Sequence, residues 1–159
     1  MKSLISCCLI FFSCFTIACA QQDQLADPIP YFMAIIVSDV DTSINWYDNT
    51  LGFEVLNRVD MSERGLRQAN LKHGDAALEL IELSTALSPK DLLKGKPKKT
   101  KIAGLFKFGF AVNDFDEWAK FLTDKIPGLE DQIVNDPNTG KKMVIILDPD
   151  GNRIQLFEK

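Results

Sequence analysis

The feature that most constrains this chain is an internal repeat. Phe32–Asp41 aligns with Lys107–Asp116, Leu51–Glu54 with Pro127–Glu130, and Ala77–Leu80 with Arg153–Leu156. The two members of each pair are separated by 75 or 76 residues. Three segments that keep one order and one spacing indicate a duplicated structural unit. A chain of 159 residues has room for two such units within one domain.

Each copy has the pattern of a βαβββ unit. A β-rich run is predicted at Phe32–Val37 and at Phe106–Val112, and a helical spacing of apolar residues follows each run. We predict that Asp41 and Asp116 cap these helices, because a short side-chain oxygen can accept a free backbone N–H of the first turn. Gly52 and Gly128 are predicted to end them.

Three strands are predicted after each helix: Phe53–Val59, Arg67–Lys72 and Ala76–Leu83, then Glu130–Val134, Lys141–Leu147 and Asn152–Glu158. The predicted fold class is therefore α+β, with one module over residues 30–83 and a second over residues 105–159. A lysine-rich linker, residues 84–104, joins the two modules.

The first twenty residues have the pattern of a secretory signal peptide. Lys2 precedes an uncharged apolar run over residues 4–17, and small residues follow it. Two processing routes fit: cleavage before Gln21, or recognition of residues 16–19 as a lipoprotein signal with a lipid on Cys19. Residues 21–29 then form a polar tether. We predict an exported bacterial protein, either periplasmic or a membrane-anchored lipoprotein whose contact with the membrane is through Cys19.

Cysteine placement and charge exclude several functions for the mature domain. All four cysteines lie within residues 1–20, so the domain itself has no thiol for a disulfide or a thiolate metal site. The formal net charge of −4 gives no basic surface of the kind that binds nucleic acid. We therefore predict no nucleic-acid partner.

Several stretches resemble the vicinal oxygen chelate superfamily, which contains glyoxalase, extradiol dioxygenases and the bleomycin-resistance proteins. The resemblance is carried by Val37–Val55, by Ala77–Leu80 and by Leu147–Gln155, which contains an Asp-Pro-Asp-Gly turn. It extends from about residue 30 to the C-terminus. It implies a curved eight-stranded mixed sheet around a cleft with helices outside. It also leaves a homodimer as an alternative to a monomer.

Strand alternation predicts which side chains line that cleft. The apolar set that suits packing under the helices comprises Met33, Ile35, Val37, Leu78, Leu80, Phe108, Phe110, Val112, Ile154 and Leu156. The opposite face is predicted to line the cleft, with Ala34, Ile36, Ala77, Ile81, Gly109, Ala111, Arg153 and Phe157.

The resemblance also implies four metal-ligand positions in the cleft, commonly filled by two His and two Glu. These positions correspond to Phe32, Glu79, Lys107 and Gln155. Phenylalanine cannot coordinate a metal, and a lysine ammonium repels a cation. A set with one carboxylate and one amide does not hold Zn²⁺, Ni²⁺ or Fe²⁺ against water. We therefore predict no metal and no other cofactor.

Lys107 leaves three interpretations open. It could form an ion pair with Glu79, with their charged ends within about 4 Å or bridged by one water, and with Gln155 beside them. It could instead hold an anionic or carbonyl group of a ligand. As a neutral amine it could act as a base or form a Schiff base.

The function that we predict is metal-independent binding of a small molecule in the cleft. The alternatives are a lyase, isomerase or dioxygenase-like enzyme acting on a small oxygenated substrate, and a non-catalytic interaction module. The sequence identifies no catalytic residue.

Overall fold

The computed structural model describes residues 28–159. The predicted signal peptide over residues 1–20, with Cys19, and residues 21–27 of the tether lie outside the described residues. None of the helices within residues 28–159 is both long enough and apolar enough to cross a membrane.

The described chain consists of two βαβββ modules, so the predicted fold class is confirmed. Module one contains β1 (Met33–Val37), α1 (Val40–Leu51), β2 (Glu54–Met61), β3 (Leu66–His73) and β4 (Ala76–Leu83). The linker contains the single turn α2 (Pro89–Leu92). Module two contains β5 (Phe108–Val112), α3 (Phe115–Thr123), β6 (Val134–Asn135), β7 (Lys142–Leu147) and β8 (Arg153–Glu158).

The eight strands pair as two four-stranded mixed sheets with the same topology, where the resemblance implied one eight-stranded sheet. Their orders are β1-β4-β3-β2 and β5-β8-β7-β6. In each sheet the first and last strands of the module are parallel, and the remaining pairs are antiparallel. The helix between the first two strands covers one face of its sheet, which leaves the opposite face for a site.

Burial confirms the predicted alternation of faces. Ile35, Val37, Leu78 and Leu80 of module one are buried, and their counterparts Phe108, Val112, Ile154 and Leu156 are buried in module two. Met33 and Phe110 are partly buried against the same core. Tyr47 of α1 and Leu122 of α3 lie beneath them at 0% exposure. The core therefore lies between each sheet and its helix.

The helices begin two residues earlier than predicted. Asp39, not Asp41, caps α1, and its side chain accepts a 2.6 Å hydrogen bond from the backbone N–H of Thr42. Asp114, not Asp116, occupies the cap position of α3. The prediction of the caps was wrong because the two later aspartates have other partners within their own modules.

Those partners form the same network in both modules. The carboxylate of Asp41 pairs with Arg67 on β3, and the carboxylate of Asp116 pairs with Lys142, the equivalent residue on β7, at 2.6 Å. Arg67 also contacts Glu82 of β4 at 3.0 Å. In each module an ion pair therefore joins the helix to the sheet at equivalent positions. This shared contact supports the duplication independently of the sequence repeat.

The ends of the two helices differ. Gly52 ends α1 in a left-handed conformation with φ 68°, as predicted. Helix α3 already ends at Thr123, so the prediction for Gly128 was wrong. Pro127 accounts for this difference, because a proline disfavours helical dihedrals at the residue before it. Gly128 therefore lies beyond the C-terminal end of α3.

The second strand of module two is much shorter than predicted. Glu130–Gln132 forms a 3-10 turn, and only Val134–Asn135 pairs with β7. The backbone N–H of Gln132 donates to the carbonyl of Leu129 at 2.9 Å. That donor is satisfied locally and does not contribute to a strand ladder.

Candidate functional site

The four positions implied by the family resemblance lie on the sheet face opposite the helices, which we call the cleft face. Phe32 precedes β1 and is 55% exposed, and Lys107 precedes β5 and is exposed. Glu79 and Gln155 lie in the middle of β4 and β8 and are half-buried. Each module thus contributes one position before its first strand and one on its last strand.

The ammonium group of Lys107 is held by an amide. Its Nζ donates to Oε1 of Gln155 at 2.5 Å, and Nε2 of Gln155 contacts the sulfur of Met143 at 3.0 Å. Asp136 lies in the same region. Its pKa is lowered mainly by the backbone N–H groups of Thr139 and Asn138, with a smaller contribution from the charge of Lys107.

Glu79 has a different partner from the one expected. Its carboxylate accepts a short hydrogen bond from Nε2 of Gln68 on the neighbouring strand β3. Among residues 28–159 no ion pair within 4.0 Å joins Glu79 to Lys107, so the direct form of the expected pair was wrong, whereas Gln155 does lie beside Lys107. The form bridged by one water stays a prediction. Each charged group is instead engaged by a side chain of its own module.

The chemistry of this donor set does not fit a bound metal. A phenyl ring and an ammonium group occupy two of the four positions. Elsewhere in the described part of the chain, no group of three or more His, Cys, Asp or Glu could hold a metal ion. The histidine, His73, ends β3 and its Nδ1 lies 2.8 Å from the carbonyl of Gly52. We therefore derive no chemistry through a metal at this site.

The other predicted cleft residues have the exposure expected of one face. Ala34, Ile36, Gly109 and Ala111 are exposed, whereas Ala77, Ile81, Arg153 and Phe157 are half-buried. The guanidinium of Arg153 stacks over the ring of Phe106, 4.7 Å from its centroid. Gly109 is required by close packing, because a Cβ there would lie 2.4 Å from the carbonyl oxygen of Gln155.

A cavity of about 880 Å³ lies at a different place, between the two modules. The end of α1 and the β3–β4 turn form one wall, and β5 and α3 form the other. We call it the inter-module cavity; its lining includes Phe53, His73, Asp75, Gly109, Phe110, Ala111, Asn113, Asp114, Glu117, Trp118, Phe121 and Leu156. Only Gly109 and Ala111 among these belong to the predicted cleft. Sequence reasoning missed the cavity because its lining combines residues of both modules that no local pattern brings together.

The two junctions between the modules differ in their polar contacts. At the equivalent junction on the other side, the hydroxyl of Tyr47 donates to Asp148 at 3.1 Å, and the hydroxyl of Ser38 donates to Asp150 at 2.5 Å. Burial raises the pKa of Tyr47, and the neighbouring Asp148 raises it further, so the phenol remains a donor. In the repeat, Tyr47 corresponds to Leu122 and Asp148 corresponds to His73. Leucine has no hydroxyl to donate, so Leu122 cannot form with His73 the hydrogen bond that Tyr47 forms with Asp148.

Known sequences match the region that these modules span. The family model described as Glyoxalase/Bleomycin resistance protein/Dioxygenase superfamily matches residues 29–156. The uncharacterized protein YwkD of Bacillus subtilis (strain 168) is 31% identical over 130 residues, which cover 81% of this chain and 95% of that protein. The uncharacterized protein YaeR of Escherichia coli (strain K12) is 30% identical over 132 residues, covering 81% and 95%.

Solved structures show the same architecture. The glyoxalase family protein from Enterococcus faecalis superposes with a TM-score of 0.65 at 28% identity, and the match covers 82% of this chain and 97% of that chain. Sequence, topology and superposition therefore agree, and the chain belongs to the Glyoxalase/Bleomycin resistance protein/Dioxygenase superfamily.

Proposed function

We propose that this protein is a metal-independent member of its superfamily that binds a small anionic or carbonyl-bearing molecule on the cleft face. One observation carries the proposal. An ammonium group, Lys107, stands at a family metal position and is held by the neutral oxygen of Gln155 at 2.5 Å. A fixed cation that is not neutralised by Glu79 can receive an oxygen atom of a ligand.

A second positive group supports an anionic ligand. Strands β5 and β8 are parallel, with Phe108 beside Ile154 and Gly109 beside Gln155. Lys107 and Arg153 therefore lie side by side on the two strands and on the same face. Two neighbouring cations attract one carboxylate or phosphate more strongly than either cation would alone.

The exposure of Lys107 and Phe32 favours ligand binding over catalysis by the lysine and over an interaction module without a ligand. Lys107 is exposed, whereas a lysine that acts as a neutral base or forms a Schiff base is usually desolvated in an apolar pocket. Phe32 is 55% exposed and so does not fill the cleft, as an interaction module without a ligand would require. A binding function therefore fits the cleft face better than either alternative.

The test is a ligand screen on matched lysine variants. Small carboxylates, 2-oxo acids and phosphate esters would be screened by thermal shift, and hits would be titrated by calorimetry. We expect Lys107→Met to weaken binding at least about tenfold, since losing a charge-assisted hydrogen bond costs about 1.5 kcal/mol or more. Lys98→Met, an exposed lysine of the linker, should have no effect. Equal affinity in Lys107→Met, or hits confined to uncharged compounds without a carbonyl, would overturn the proposal.

We also propose that the protein is exported and that residues 1–20 are its signal peptide, because a positive start precedes an apolar run and small residues. Mass spectrometry of protein from a bacterial host should find an N-terminus at Cys19 with added lipid mass, or at Gln21 without it. A soluble protein in the cytoplasm that retains Met1 would contradict both routes.

A further inference from the structure

We infer that the inter-module cavity is a second binding site, and that its ligand is a small organic cation with an apolar or aromatic body. None of the four family metal positions lines this cavity, so the inference is independent of the function proposed for Lys107. The volume of about 880 Å³ falls within the range of about 300–1,000 Å³ that is typical of small-molecule sites.

Aromatic rings form the walls of the cavity. Phe53 and Phe110 stand with ring centroids 5.6 Å apart, and Trp118 and Phe121 with centroids 6.2 Å apart. Aromatic faces attract cations, and tryptophan attracts them most strongly. Nζ of Lys125 lies 4.6 Å from the centroid of the Phe121 ring, so the protein's own cation already contacts that ring. Binding of a ligand would therefore depend on Phe53, Phe110 and Trp118.

The charged groups of the lining are all acidic. Asp75, Asp114 and Glu117 line the cavity, and its lining contains no Lys or Arg. Within residues 28–159, none of these three carboxylates appears in a salt bridge, and neither Asp114 nor Glu117 accepts a side-chain hydrogen bond. Unneutralised carboxylates next to aromatic faces complement a cation and repel an anion. This charge pattern is the reverse of the one at Lys107 and Arg153.

The N-cap residue of α3, Asp114, differs in conformation from its equivalent in module one. Its equivalent in module one, Asp39, is extended and caps α1 through its side chain. Asp114 instead has φ 49°, the only positive φ of a non-glycine residue in the described range, and its carboxylate makes no cap bond. Aspartate is one of the few residues other than glycine that adopt this left-handed conformation. Here the conformation leaves the carboxylate without a cap bond beside the cavity.

The probe for this site is benzyltrimethylammonium, with phenylacetate as the oppositely charged analogue of similar shape. Titration would be followed by calorimetry and by tryptophan fluorescence. We expect benzyltrimethylammonium to bind and to change the tryptophan fluorescence through Trp118. Phenylacetate, which Lys107 on the cleft face could hold, should leave that fluorescence unchanged. Trp118→Phe should remove the fluorescence change, whereas Trp46→Phe, whose tryptophan does not line the cavity, should keep it. Added salt should weaken the binding, since exposed charges are screened.

The carboxylates are tested by isosteric neutral variants. Asp114→Asn with Glu117→Gln should weaken benzyltrimethylammonium about three- to tenfold, the range expected for partly exposed charge contacts. Asparagine tolerates the left-handed conformation, so the fold should be kept. Asp131→Asn with Glu130→Gln is the matched control away from the cavity. If the Asp114 variant fails to fold, Asp75→Asn in the turn serves instead, with a loss of about twofold.

The inference would be overturned if benzyltrimethylammonium did not bind at millimolar concentration or if phenylacetate gave an equal fluorescence response through Trp118. Unchanged affinity for benzyltrimethylammonium in folded variants of the carboxylates would also overturn it. A fluorescence response that depends on Trp46 and not on Trp118 would place the ligand elsewhere and would overturn it as well.

Discussion

At the scale of single residues, aspartates at equivalent positions have different tasks. Asp39 caps a helix, whereas its counterpart Asp114 is left-handed and does not. Asp41 and Asp116 keep the same task, since each pairs with a basic residue on the third strand of its module. The two modules therefore share the ion pairs that join helix to sheet. They differ at Asp114, which lines the inter-module cavity and does not cap its helix through its side chain.

The contribution of Asp41 can be tested through pH. Its pKa is lowered first by the hydrogen bond from Arg67 and then by that from Arg58. A carboxylate with a lowered pKa in the folded state stabilises the protein above its unfolded-state pKa, and this stabilisation is lost as the pH falls through the folded-state value. Asp41→Asn should therefore lower the free energy of unfolding at pH 7 by about 0.5–1 kcal/mol, a modest value because the side chain is about half exposed.

The measurement is urea unfolding of both proteins between pH 7 and pH 3. The difference between wild type and Asp41→Asn should shrink below about pH 4, where the unfolded-state carboxyl becomes protonated. Asp131→Asn, at an exposed carboxylate in the turn before β6, is the control and should show no such trend. A difference that stays constant down to pH 3 would mean that the Arg67 bond does not stabilise the fold.

At the scale of elements, the sequence predicted those whose signals are strong and local. Strand β4 has the predicted bounds, and Gly52 ends α1 where its left-handed dihedral requires a glycine. The predictions of element bounds were wrong where two local sequence features favour different structures. Pro127 ended α3 before Gly128 could, and local hydrogen bonds after Leu129 replaced most of β6. The predicted caps failed because an aspartate can serve equally as a cap or as an ion-pair partner, and sequence alone does not give its distance to Arg67.

At the scale of the whole molecule, the repeat was enough to predict the two-module fold, but not how the modules meet. The alternation of faces correctly identified most of the buried core residues, whereas the lining of the cleft stays a prediction. The inter-module cavity depends on contacts between residues of different modules that lie far apart in the sequence, such as Phe53 with Phe110. A local pattern contains no information on such pairs. The cavity could therefore not be predicted from the sequence.

The joined core leads to a last prediction, that the two modules unfold together. Buried residues of both modules belong to one hydrophobic cluster, and Phe53 of module one contacts Phe110 of module two with centroids 5.6 Å apart. Leu80→Ala in β4 and Leu156→Ala in β8 each remove a side chain at most 1% exposed, so each should cost about 2–5 kcal/mol.

Each variant should still show a single unfolding transition, at lower urea concentration than wild type, with far-ultraviolet and near-ultraviolet circular dichroism coinciding. Leu56→Ala, at a leucine that is 60% exposed on β2, is the matched control and should change stability by less than about 0.5 kcal/mol. Two separate transitions, of which Leu80→Ala shifts one and Leu156→Ala the other, would show that the modules are independent. In that case the contacts between Phe53 and Phe110 and between Tyr47 and Asp148 would not couple them, and the shape of the inter-module cavity would not be fixed by the fold.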